Sequence, residues 1–203
     1  MYLVLNTAPA APLLSLSQAK QHLRVEHTFD DALIVALVAS VEAGLSGRDG
    51  ALHRALITQT WDYKLRAFPA SDHIHLPFPP LQSVTHVKYY DGNDAEQTFS
   101  SAAYAVHSAT DRGYIRLKNG YSWPGSYERD DAVTIRFVCG YGGADDVPAP
   151  IKAAALIMLG ELYTTRGDNT DGGKVAGGGG IATLANQTAK RLLSGYRVAP
   201  WPL

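Results

Sequence analysis

The chain has 203 residues, 46% of them hydrophobic and 18% charged, with a formal net charge of -1. That length allows a sizeable core in one or two domains, and the near-neutral balance argues against binding nucleic acid through a broad basic surface. A single cysteine, Cys139, excludes an intrachain disulfide framework and is compatible with a reducing compartment. The longest apolar run, ALIVALVASVEAGL, is too short for a membrane span and contains Glu42.

The opening residues, MYLVLNTAPAAPLL, lack a basic stretch and are interrupted by Pro9 and Pro12, so no signal peptide is read there. Ser15 followed three positions later by Gln18 has capping-box spacing and predicts a short helix over 15–24, with Leu16, Ala19 and Leu23 on its apolar side. Thr28 and Asp31 repeat that signal ahead of a longer helix, in which Leu33, Ile34, Leu37, Val38, Val41 and Leu45 recur at helical spacing and Gly47 marks the end. The period then changes. In residues 57–68, Ile57, Trp61, Tyr63 and Leu65 share one parity, while Thr58, Thr60, Asp62, Lys64 and Arg66 take the other, as in a half-buried strand. Further strands are predicted at 73–76, 83–90, 96–100, 104–107, 114–117 and 132–141, with a turn at Asp91-Gly92-Asn93. With no helical pattern between them, they read as an antiparallel sheet, sandwich or small barrel.

Helical spacing returns after Pro150, where Ile151, Ala154, Ala155, Met158, Leu159 and Leu162 form one face. A last amphipathic helix is predicted from 181 to about Gly195, before a proline-containing tail, VAPWPL. The expected fold is therefore α+β. A small helical bundle is built from both chain ends (1–56 and 146–203), with an antiparallel β domain (57–145) inserted between its halves. A single α+β domain is the alternative.

Residues 166–180, RGDNTDGGKVAGGGG, superficially suggest a cell-attachment triplet or a phosphate loop. Gly172-Gly173-Lys174-Val175 lacks the Ser/Thr of a phosphate loop and follows a helix instead of a strand. Gly167 sits where a helix ends and suits a C-cap. Seven glycines in 15 residues make a flexible loop, expected over 167–180, either left loose or ordered against another subunit. The aromatic tail, with Tyr196 and Trp201, has two readings: folded onto its own subunit or docked into a partner. Among the seven histidines, His73 and His75 would share a strand face, with His86 on a neighbouring strand. A zinc site needs three or four convergent ligands, and no Cys partner or HExxH accompanies them. No GxSxG nucleophile elbow is present, and Cys139 falls in an apolar strand as a buried thiol.

Taken in order, SLSQAKQHLRV, ALITQTWDYKLRAFP, LPFPPLQSVTHVKYYDGNDAEQT, AVTIRFVCGYGGADDVPAPIKAAALIMLGELYTTR and RLLSGYRV resemble the head–tail connector (adaptor) proteins of tailed bacteriophages, prophages and gene-transfer particles. The resemblance covers most of the chain. It implies a non-enzymatic virion protein without cofactor or metal. Such a protein is made in the bacterial host cytoplasm and forms a ring, usually of twelve copies, between the portal and the stopper and tail. DNA passes through that ring without sequence-specific binding, and no membrane is involved. Carried onto this sequence, the resemblance makes Arg191, Tyr196, Arg197, Trp201 and Leu203 candidate portal or inter-subunit contacts. Gly167, Asp168, Lys174, Gly178 and Gly180 mark the candidate assembly-ordered loop. Two alternatives stand beside it: a stopper or tail-completion protein, and a small metal-dependent phage enzyme using His73, His75 and His86.

Overall fold

A computed structural model describes residues 1–110, 112–165 and 187–200. The loop candidates Gly167, Asp168, Lys174, Gly178 and Gly180, and the tail residues Trp201 and Leu203, lie outside the described residues. The rest is a mixed α+β structure with helices toward both ends and eight antiparallel strands among the described residues.

Helix α1 (Leu16–Leu23) begins at the predicted capping box: the Ser15 hydroxyl accepts from Gln18 N–H, and the Gln18 side chain accepts from Ser15 N–H. Helix α2 (Asp31–Leu45) starts differently from expectation. Thr28 does not cap it; Asp30 is the N-cap residue, and its carboxylate accepts from Tyr163 Oη at 2.6 Å instead of capping its own helix. Lys20 ties α1 to α2 through Asp31 at 2.6 Å. Helix α3 (Ala149–Thr164) has proline in its first turn and buries Ile151, Ala154, Ala155, Met158 and Leu159 of the face its spacing predicts, with Leu162 only partly buried. Helix α4 (Gln187–Leu193) adds Ala189 and Leu193. These four helices share one apolar cluster with Leu13, Leu14, Leu52 and Leu56. Each large aliphatic side chain buried there stabilises by roughly 1.5–3 kcal/mol. On α2 only Ile34, Val38, Val41 and Leu45 are buried; Leu33, expected on the inner face, lies outward. No helix among the described residues is long and apolar enough to cross a membrane.

The strands make two sheets. Strands β1 (Tyr2–Thr7), β2 (Gln59–Leu65), β8 (Val133–Cys139), β4 (Leu81–Tyr90) and β5 (Glu96–Phe99) form one, in the spatial order β1-β2-β8-β4-β5. Strands β3 (His73–His75), β7 (Tyr114–Leu117) and β6 (Tyr104–His107) form the other. Residues 2–7, for which the sequence suggested no element, are thus an edge strand of the larger sheet. Their pairing partner lies in β2, with Leu3 opposite Tyr63 and Leu5 opposite Trp61. Tyr63, Ile135 and Phe137 of the larger sheet share a core with Ile74, Tyr104 and Ile115 of the smaller, so the two sheets enclose a common interior.

The chain enters the sheets from the helices and leaves them at adjacent points. Ile57 bridges to Gly142, Thr58 N–H donates to Gly142 O at 2.9 Å, and Tyr141 N–H donates to Leu56 O at 3.0 Å. Gly140 and Gly142 have φ of +117° and +139°, which disfavour side chains. A Cβ on Gly140 would stand 2.5 Å from Ile57 O, so this close crossing requires glycine.

Candidate functional site

The C-terminal segment is the sequence-predicted contact region that the structure describes best. After α4, residues Ser194–Tyr196 make a short 3-10 turn. The half-buried Tyr196 side chain packs against the helical cluster of its own subunit. Arg54 Nε donates to Tyr196 O, Val198 N–H donates to Leu52 O at 3.1 Å, and Arg112 Nη2 donates to Ala199 O at 3.0 Å. The segment therefore lies along the joint between the helices and the sheets, held by Leu52 and Arg54 of the helix-to-sheet connection and by Arg112 of the β6–β7 loop. Arg191 and Arg197 are exposed on either side of the turn. Of the five predicted contact residues, Tyr196 has its ring against its own subunit and Arg191 and Arg197 face solvent; the remaining two lie outside the described residues.

Two clefts flank this segment. A small one of about 130 Å³ is lined by Leu3, Leu76, Phe78, Val198 and Pro200. A wider one of about 600 Å³ is lined by Arg54, His75, Arg112, Tyr114 and Arg197. Sequence reading missed Arg54 and Arg112, the tail's anchors. Their partners are 142 and 87 residues away, so no local spacing could have revealed them.

His86 does not join His73 and His75. His73 and His75 lie on β3, their rings 5.0 Å apart, and His75 and His107 flank the Tyr114 ring at 5.4 and 4.6 Å. His86 lies on the other sheet, on β4, near Asp62 and Arg136. Among the described residues no group of three or more His, Cys, Asp or Glu could hold a metal, so the three-histidine arrangement that the enzyme alternative needs is not formed. Burial, then His73 and Arg112, push the His75 pKa down; burial, then Arg136 and Lys88, do the same for His86.

Cys139 is fully buried, and burial pushes its thiol well above the ordinary cysteine value, so it is no nucleophile. Asp62, expected on the polar face of β2, is instead buried. Arg136, directly opposite on β8, grips it through two hydrogen bonds and holds its carboxyl below the usual range. This two-bond charge pair joins neighbouring strands of the sheet.

No protein-family model matches the chain, and no curated protein matches it. Solved structures do. A chain in the neck of an empty gene transfer agent (GTA) particle, obtained with C6 symmetry, is 22% identical with a TM-score of 0.73. A chain in the virion of the native GTA particle is 23% identical with a TM-score of 0.73. A chain in the native GTA neck, obtained with C12 symmetry, is 18% identical with a TM-score of 0.68. Each match spans 98% of this chain and 96% of the other. At these identities the shared property is the fold, end to end.

Proposed function

We propose that this chain is a structural, non-enzymatic subunit of the neck of a phage-like particle. Within that neck it is the adaptor, a ring joining the portal to the stopper and tail around the DNA channel. The observation that carries this reading is the end-to-end fold match to GTA neck chains, with almost no unmatched length on either side.

In this reading the helices from 1–56 and 146–203 form the bundle that carries ring packing and portal attachment, and 57–145 is the inserted β domain, to which residues 2–7 add the edge strand β1. The adjacent crossing at Ile57 and Gly142 supports that division. Twelve copies are proposed, in keeping with the C12 neck among the fold neighbours. Exposed Arg191 and Arg197, with Trp201 and Leu203, are the proposed portal contacts, and 167–180 the loop ordered on assembly. The particle would be built in the host cytoplasm, and DNA would pass without sequence-specific binding.

The test is mass measurement and electron microscopy of the purified chain mixed with its cognate portal. A ring of chain on one portal face is expected. A chain that never joins the portal removes the adaptor role, and one that joins only after another neck protein is a stopper or tail-completion protein.

A further inference from the structure

Helix α2 is apolar on both sides. Its inner side is in the core, but its outer side carries Ala32, Leu33, Val35, Ala36, Ala39 and Ala43, with Val35 53% exposed. No charge occurs between Asp31 and Glu42, and Glu42 turns its carboxylate onto Leu13 N–H at 3.0 Å. Just ahead of the helix, Phe29 is 93% exposed. Beside the C-terminal half of the helix, edge strand β1 reads YLVLNT, uncharged, with Tyr2, Val4 and Leu5 exposed so that apolar groups face water on both sides of the strand. A groove joins the two, lined by Leu5 and Pro9 from one side and Ala39 and Ala43 from the other, with Glu42, Arg48 and Asp49 as its polar rim.

The opposite edge of the same sheet is built differently. Strand β5 is short, and Glu96 pairs with Lys88 at 2.6 Å, the usual protection against edge-to-edge association. A soluble subunit that guards one edge and leaves the other apolar, beside an uncharged helix face, has a use for the unguarded side.

We infer that the outer face of α2 together with β1 is the surface that receives the next copy of this chain. This rests on the neck reading, which supplies the occupant: the fold neighbours sit in assemblies of C6 and C12 symmetry. Cyclic assembly joins two different surfaces head to tail, so the two edges of the sheet need not be alike. The unlike edges β1 and β5 fit that arrangement.

The test is sedimentation of the full chain over a wide concentration range, with ammonium sulfate to strengthen apolar contacts, beside Val35→Glu and Leu5→Lys. Both side chains already reach solvent, so each variant should melt like the wild type. The wild type is expected to self-associate, and each variant to do so at least about a hundredfold more weakly, the effect of burying one unpaired charge at an interface. Electron micrographs then separate the two claims. Rings that persist in both variants overturn the surface and leave the neck reading standing. Two-fold dimers lost in the variants keep the surface and overturn the neck reading. A wild type that stays monomeric throughout overturns the surface.

Discussion

Asp62 and Arg136 sit directly opposite each other on β2 and β8, and the guanidinium grips the carboxylate through Nε at 2.7 Å and Nη2 at 2.8 Å. Asp62 is nearly buried, while the Arg136 side chain is about a third exposed, so the pair is anchored from the carboxylate side. Asp62→Asn should destabilise the fold by roughly 1–3 kcal/mol at neutral pH. Because Arg136 lowers the Asp62 pKa, the pair contributes fully above the unfolded value of about 3.9 and is lost as pH falls through the lower folded value. Urea titrations at neutral pH and below about pH 4 should therefore show the gap between wild type and D62N closing in acid.

The histidines act over a different range. Folding lowers the pKa of His75 and of His86, so the unfolded chain binds more protons below its ordinary value of about 6.5. Stability should fall as pH drops from about 6.5 toward the folded values. In His86→Gln that slope should be shallower between neutral pH and about pH 5, measured by thermal melts across the range. An unchanged slope would mean that His86 is not held neutral by its burial beside Arg136 and Lys88.

Gly140 is where β8 passes the beginning of β2 on its way back to the helices. Gly140→Ala should destabilise by at least about 2 kcal/mol, lowering the melting temperature by roughly 4–8 °C. Gly92→Ala is the comparison: a Cβ there meets nothing within 4 Å, and the melting temperature should stay close to wild type.

The tail is fastened within the single subunit. The Val198 amide, bonded to Leu52 O, should be protected from hydrogen exchange before any assembly. Arg54→Ala removes the donor to Tyr196 O, and the Val198 amide should then exchange at least about tenfold faster while amides of α3 keep their protection. Equal exchange in both proteins would show that Arg54 does not hold the tail.

Much of the local structure was legible because its causes are local. The Ser15–Gln18 capping box spans three residues, the buried face of α3 follows from a 3.6-residue period, and β6 and β7 begin and end where their alternation does. Strand β1 was not legible: its residues are apolar without alternation, only Leu3 packs partly against the sheet core, and its partner is nearly sixty residues away. The polar parity of β2 placed Asp62 outward for the same reason. Parity reports the average preference of a side chain for water, and Arg136 overrides that preference from another strand.

The sequence by itself determined the type of most elements, β1 excepted, the mixed α+β class, and the absence of a recognisable catalytic motif. Those follow from periodicity and spacing, which are properties of neighbours along the chain. Only the tertiary structure decided which edge of the sheet is guarded, which face of α2 is left outside, where the tail lies, and that His86 stands apart from His73 and His75. Each depends on contacts between residues tens to more than a hundred positions apart. Chain spacing carries no information about such pairs until the core, by excluding water, selects one arrangement of them.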